Sequence, residues 1–289
     1  MKILILGARG SLGTQLVKVL SASELSTLDK PEADFLDLAG LEVKLDTIKP
    51  EVVINAAAYN AVDKCEIDSD ESILAAKLNI DLPSFLADWC LTNKARLIHY
   101  STDYVFSGDD YKKEFSETDQ PNPINRYGIT KAAGEAALLE RAPAGLAYYL
   151  IRVSKLFGPK GSSPYTKASF FDIMLDLAKA NPELKVVDEE LSCFTYTPDL
   201  AAATKELLDQ KQPSGIYHLI NSGCCTWYES VLELKKIANL SVAVKPIKGA
   251  DLLRAAKRPK FSVLKNTKYP QLRDYREALA EYLNNNKNI

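Results

Sequence analysis

A chain of 289 residues is long enough for one large core, or for a core domain with a smaller second lobe. With 46% hydrophobic and 26% charged residues, a formal charge of −2 and Lys and Arg spread along its length, it is neither a disordered polymer nor a carrier of the basic stripe that binds nucleic acid. Five cysteines (Cys65, Cys90, Cys193, Cys224 and Cys225) with no two-residue spacing, and only two histidines, His99 and His218, argue against a disulfide framework and a multi-histidine metal centre; no metal ligand is assigned, and carboxylate sites for magnesium stay open.

From Met1 the chain runs directly into Lys2-Ile3-Leu4-Ile5-Leu6, a strand pattern without the length or cleavage site of a signal sequence. No apolar run reaches the roughly 20 residues that span a bilayer. A cytoplasmic protein with small-molecule partners, and with neither membrane nor nucleic acid among them, is expected.

The first strand is followed at once by Gly7-Ala8-Arg9-Gly10-Ser11-Leu12-Gly13, which opens a helix predicted over 12–20. Glycines there permit a tight turn and let backbone amides approach a pyrophosphate, and the helix start adds a positive dipole end. A weaker strand over 26–28 ends at Asp29, at the distance where an acidic residue accepts the ribose hydroxyls of a dinucleotide. Arg9 and Lys30 can each meet a 2′-phosphate, so NADH and NADPH both stay open.

Further strands are predicted over 52–55, 96–101 and 148–153, and helices over 71–89 and 131–140. Such alternation places parallel strands between crossover helices. Ala56, Ala57 and Ala58 after the third strand, and Thr102 and Asp103 after the fourth, fall at strand carboxyl ends, where open α/β sheets bind ligands. Residues 158–164 read as a loop, 169–180 as a helix, and 215–221 as a buried strand that rejoins the main sheet. The expected fold is α/β, a Rossmann-type doubly wound parallel sheet with a smaller, discontinuous α+β substrate lobe. Residues 1–153 and about 193–222 are assigned to the dinucleotide-binding domain, and about 154–192 and 223–289 to the lobe.

Tyr127-Gly128-Ile129-Thr130-Lys131 is the sharpest chemical signal, because a four-residue interval puts phenol and ammonium on one helix face. A nearby cation is expected to lower the phenol pKa towards the working range of an acid–base group. With Thr102 sharing a hydrogen bond, Tyr127 can then protonate a carbonyl oxygen as hydride reaches the carbon. His99 reads as a core residue.

Taken together, the glycine loop, Val53-Ile54-Asn55-Ala56-Ala57-Ala58-Tyr59-Asn60-Ala61-Val62-Asp63-Lys64-Cys65-Glu66, His99-Tyr100-Ser101-Thr102-Asp103-Tyr104-Val105-Phe106 and Asn125-Arg126-Tyr127-Gly128-Ile129-Thr130-Lys131 resemble the extended short-chain dehydrogenase/reductase family, and within it the dTDP-4-dehydrorhamnose reductases. The resemblance implies NAD(P)H-dependent reduction of the C4 ketone of a 6-deoxy-sugar on a nucleoside diphosphate, with Thr102, Tyr127 and Lys131 as the catalytic triad and Lys131 also on the nicotinamide ribose. By the same match Asp34 and Phe35 lie near the adenine, Val62, Thr102, Asp103, Val105 and Phe106 line the substrate site, and Arg258 faces the diphosphate. Three positions depart from the family. Lys155 stands where an aromatic Trp commonly packs on the sugar, Ser192-Cys193-Phe194-Thr195 replaces Gly-Ser-Pro-Thr, and Gln15 replaces a glutamate that some members use for a magnesium-linked dimer. Lys155 is kept as a substrate-side candidate, and the oligomeric state, a homodimer included, stays open. The readings in competition with this one are a non-catalytic NAD(P)-binding regulatory subunit on the same scaffold and an epimerase or reductase of another nucleotide sugar.

Overall fold

The first half of the chain alternates strand and helix, and in the computed structural model, which describes residues 1–30, 32–108, 113–164 and 166–285, it does so in the order β1 (Lys2–Leu6), α1 (Ser11–Val19), β2 (Glu24–Leu28), α2 (Leu38–Ile48), β3 (Val52–Asn55), α3 (Val62–Ile67), α4 (Ser69–Ala76), α5 (Leu82–Asn93), β4 (Arg96–Thr102), α6 (Arg126–Leu139) and β5 (Ala147–Val153). The second half continues with β6 (Leu156–Phe157), α7 (Phe170–Ala180), β7 (Glu183–Val187), β8 (Ser192–Cys193), β9 (Thr195–Tyr196), α8 (Thr197–Asp209), β10 (Gly215–His218), β11 (Asn221–Ser222), β12 (Cys224–Cys225), α9 (Trp227–Ile237), β13 (Ala243–Ile247), β14 (Leu272–Asp274) and α10 (Tyr275–Asn285).

Six strands form one parallel sheet in the order β10-β5-β4-β3-β1-β2. Their side chains alternate between two covered faces. Ile3, Ile5, Ile54, Ile98 and Ile151 meet Leu12 and Leu16 of α1 and Leu200 and Leu207 of α8 on one side. Leu4, Leu6, Val53 and Leu97 meet Leu41 and Leu45 of α2 and Leu82 and Leu86 of α5 on the other. Each such side chain, once fully buried, contributes about 1.5–3 kcal/mol, so the continuous apolar runs of the sequence are explained by helices on both faces.

Several expectations need correction. The helix expected over 71–89 is split: α4 and α5 are joined by one turn of π-helix at Lys77–Asp81, whose Asn79 is buried. The helix expected from 131 starts at Arg126, because Asn125 caps it by accepting from the Gly128 amide at 2.8 Å. The strand expected over 215–221 joins the main sheet only through β10, and β11 turns away to pair with β14. The sequence reading passed over α2, although Leu38, Leu41, Leu45 and Ile48 recur at helical spacing behind the Asp37 cap.

Outside the main sheet, among the described residues, the strands pair in twos: β6 with β9, β8 with β12, β7 with β13 and β11 with β14. What binds this part together is an aromatic cluster of Phe157, Phe171, Phe194, Tyr196, Tyr275 and Tyr282. α7 and α9 both begin in a reciprocal capping box, Ser169 with Asp172 and Thr226 with Glu229. Among the described residues no helix is long and apolar enough to cross a membrane.

Candidate active site

The carboxyl ends of β1, β3, β4 and β5 lie in register, Leu6 beside Asn55, Asn55 beside His99 and Thr102 beside Val153. Gly7 leaves β1 at φ +77°, and a Cβ there would lie 2.8 Å from the Ala57 nitrogen, so the glycine loop rests on the Ala56–Ala57 backbone. A methyl on Gly13 would collide with the Gly7 carbonyl and sit 2.7 Å from the Ala8 Cα, so only glycine lets α1 start this close to β1. Gly10 is the N-cap residue of α1, and no side chain caps its first amides; Leu12 faces the core and Ser11 opens the helix. A backbone cradle at an uncapped helix start fits the pyrophosphate of a dinucleotide.

Asp29, at the end of β2, accepts the Arg9 amide at 2.9 Å and the Lys30 amide at 2.8 Å. The Arg9 guanidinium reaches over this turn to the Lys30 carbonyl at 3.1 Å and to the Glu32 carboxylate. Arg9 and Asp29 therefore share one corner of the site with the Lys30 backbone. Asp34 is exposed and accepts the Leu36 amide, whereas the Phe35 ring is buried in the core with Leu28 and Leu41, so it offers no exposed face for stacking.

Across the sheet edge, α6 presses its first turn against β4. A Cβ on Gly128 would collide with the Tyr104 carbonyl, and this close approach sets Tyr127 beside Thr102. The Tyr104 and Tyr127 rings meet edge to face at 6.0 Å. Thr102 accepts the Tyr104 amide at 3.2 Å and donates to Asp103 at 3.1 Å. Burial pushes the Tyr127 phenol above its ordinary range, and the Thr102 hydrogen bond pulls it only part of the way back. The expected lowering by a lysine neighbour is thus corrected. Lys131, 2% exposed, does not turn its ammonium on the phenol; its Nζ donates to the Tyr100 carbonyl at 2.7 Å and lies 3.4 Å from His99 Nε2. Burial lowers the Lys131 pKa to about 8, partly opposed by Glu135.

Residues that the sequence did not single out hold this geometry. Asn79, in the π turn, accepts the Tyr59 amide at 3.0 Å and donates to the Tyr59 carbonyl and to Thr130, tying the loop after β3 to α6. One turn beyond Lys131, Glu135 forms a bidentate ion pair with Arg152 of β5, at 2.7 and 3.0 Å, with both side chains 1% exposed. Nothing in their sequence spacing announces these contacts.

The substrate-side candidates divide. Val62 is half-buried at the start of α3, while Val105 and Phe106 are fully buried in a cluster with Phe115, Ile220 and Phe261. Their side chains face the core rather than the cleft, which corrects the expectation of direct substrate contact. Asp103 is likewise buried; burial raises its pKa against hydrogen bonds from Ser262 at 2.6 Å and Ser154 at 2.9 Å, so it ties three segments together. Lys155 has φ +35° and carries its Nζ to 3.7 Å from the Trp227 ring centre and 5.0 Å from that of Phe194. Burial lowers its pKa to about 8. Phe194, whose identity departs from the family pattern, is thereby one wall of an aromatic cage for the cation that replaces the Trp. Trp227 also donates to Glu190 at 2.9 Å, and Glu190 in turn pairs with Arg254. Arg258 is mostly buried and binds Asp63 through two bonds at 2.6 and 3.0 Å. Burial works to raise Asp63, but Arg258 and the Ala256 amide outweigh it and hold the carboxylate below its ordinary value. Arg254, four positions before Arg258 on the same loop, was missed; a second cation beside an Arg-Pro loop was the available signal.

Residues 1–288 match the family described as RmlD substrate binding domain. The chain belongs to that family. A dTDP-4-dehydrorhamnose reductase of Aggregatibacter actinomycetemcomitans is 34% identical over 285 residues, 93% of this chain and 92% of that one. The crystal structure of a dTDP-4-dehydrorhamnose reductase from Clostridium acetobutylicum has a TM-score of 0.90 at 35% identity and covers 99% of this chain and 100% of its own. One from Bacillus anthracis, in complex with NADP, gives 0.89 at 31% identity with the same coverage. The likeness to the extended short-chain dehydrogenase/reductases, read from the motifs, holds over the whole chain, and the fold is theirs.

Proposed function

We propose that this chain is an NAD(P)H-dependent reductase of the C4 ketone of a nucleotide-linked 6-deoxy-sugar, with dTDP-4-dehydro-L-rhamnose as substrate and dTDP-L-rhamnose as product. The observation that carries the reading is Thr102 hydrogen-bonded to the Tyr127 phenol, one helical turn before the buried Lys131 and beside a glycine loop shaped for a pyrophosphate. The names of the relatives, dTDP-4-dehydrorhamnose reductase, support the sugar. Ser11, Leu12 and Gly13 would hold the pyrophosphate on backbone amides at the helix start, and Gly7 and Gly10 would shape the turn beneath it, their own amides being donated to the carbonyls of Leu28 and Gly7. Asp29 and Arg9 would hold the adenosine ribose and Lys131 the nicotinamide ribose. When bound, the nicotinamide supplies hydride.

Tyr127 then has one task, to give its proton to the C4 oxygen. A phenol kept neutral by burial is suited to donate rather than accept at neutral pH, and Thr102 orients it. Arg258 would leave Asp63 for the substrate's diphosphate, a geometry its bidentate fork already matches. We assign the cofactor to residues 1–153 and about 193–222, and the sugar to about 154–192 and 223–289. The test is oxidation of NADPH and of NADH with the keto-sugar supplied. Tyr127→Phe should lower kcat by about 10²- to 10⁴-fold with cofactor affinity kept; full turnover in that variant sinks the mechanism.

A further inference from the structure

We propose that His99 is a positioning residue for Lys131, its imidazole locked as the Nε2–H tautomer by the Ala57 amide acting through Asn55, so that the ring N–H is turned onto the lysine nitrogen. The inference rests on the reading above that Lys131 holds the nicotinamide ribose beside Tyr127.

Each link leaves one choice. The Ala57 backbone N–H lies 3.1 Å from Asn55 Oδ1, and since an amide nitrogen only donates, the oxygen of Asn55 must face it. The Asn55 NH₂ therefore faces His99, whose Nδ1 lies 3.1 Å away. An NH₂ group has no lone pair to offer, so Nδ1 accepts and the proton of the neutral ring sits on Nε2. The ring is wholly buried, and burial keeps it neutral. Its Nε2–H then faces Lys131 Nζ at 3.4 Å.

An ammonium has three donors and no acceptor, so a second donor aimed at it is a mismatch. A neutral amine accepts the His99 N–H on its lone pair, gives one hydrogen to the Tyr100 carbonyl at 2.7 Å and keeps one for the cleft. From β4 the groups facing this nitrogen are His99 and the Tyr100 carbonyl. Glu135 and Tyr127 flank it on α6, Glu135 is held by Arg152 of β5, and Cys65 of α3 lies on the side of Tyr127. Among these, Glu135 and the Tyr100 carbonyl favour the charged lysine, and the Glu135 carboxylate is already engaged by Arg152. The loop that closes against the glycine motif thus also biases the protonation of Lys131, linking the Ala57 backbone through Asn55 and His99 to the acid–base chemistry.

Ring nitrogen NMR of the ¹⁵N-labelled full chain tests this directly, because only two imidazoles are present. The expected result at neutral pH is a neutral His99 protonated at Nε2. In Asn55→Asp a carboxylate replaces the NH₂ donor, so the proton should move to Nδ1 and leave the Nε2 lone pair facing Lys131. The pH limb of cofactor binding and of turnover that reports Lys131 should then move up by about one unit. A wild-type His99 protonated at Nδ1, or charged, overturns the proposal, as does an Asn55→Asp protein whose tautomer changes while the limb stays put. A residue that merely filled space would lose activity on substitution without moving the limb. Should Asn55→Asp not fold, the wild-type spectrum still decides the tautomer. Correct tautomers without keto-sugar turnover would sink the proposed reaction and leave this inference standing.

Discussion

The two sides of the cleft are built on different physics. On the cofactor side the constraints are backbone ones: a left-handed Gly7, a Gly13 that admits no Cβ, strand ends in register and an uncapped helix start. On the side proposed for the sugar they are side-chain contacts between residues far apart in sequence, such as Lys155 on Trp227, Glu190 with Arg254 and Asp63 with Arg258. A backbone constraint is local and leaves a motif. A long-range ion pair leaves none, and it can be exchanged for another pair without disturbing the fold.

This contrast can be broken or sharpened by substitution. The largest effect is expected at Gly13→Ala, where the added methyl meets backbone atoms that cannot move; cofactor titration by fluorescence should find no measurable binding, and retained affinity would refute the cradle. Glu135→Gln leaves Arg152 charged and unpaired inside the protein and should cost about 3–5 kcal/mol in denaturant unfolding. A change below about 1 kcal/mol would mean that water reaches the pair.

Arg258→Met belongs to the sugar side. It should raise KM for the nucleotide sugar by about 10- to 100-fold, the worth of a charged hydrogen-bond pair, with the NADPH KM unchanged. An equal rise in both constants would erase the division between the two sides. The smallest effect is expected at Glu32→Gln. Its pair with Arg9 is exposed and worth at most about 1 kcal/mol, so freeing Arg9 should raise the NADPH over NADH preference by only a few-fold. No change in the ratio would show that Arg9 does not reach the 2′-phosphate.

Legibility followed the same divide. Strands β1 and β3, the start of α1, and the Tyr127–Lys131 interval were readable because periodicity and glycine spacing are properties of a few adjacent residues. The π turn around Asn79 was not, since α4 and α5 share one helical period and the register shift between them is compelled by packing on Thr130 and Tyr59. Nor was the state of Tyr127, whose pairing with Lys131 looked like a route to a lowered pKa. Burial reverses the sign, because a phenol removed from water resists ionisation and the lysine is drawn to Tyr100 and His99 instead.

By itself, then, the sequence determined a doubly wound sheet, a dinucleotide loop and a Tyr-Lys pair on one helix face, all consequences of short-range stereochemistry. Only the tertiary structure decided that Val105 and Phe106 belong to the core, that Lys155 is caged by Trp227 and Phe194, and that His99 faces Lys131. Those outcomes depend on which segments, dozens of residues apart, come to share a buried volume where every polar group must find a partner.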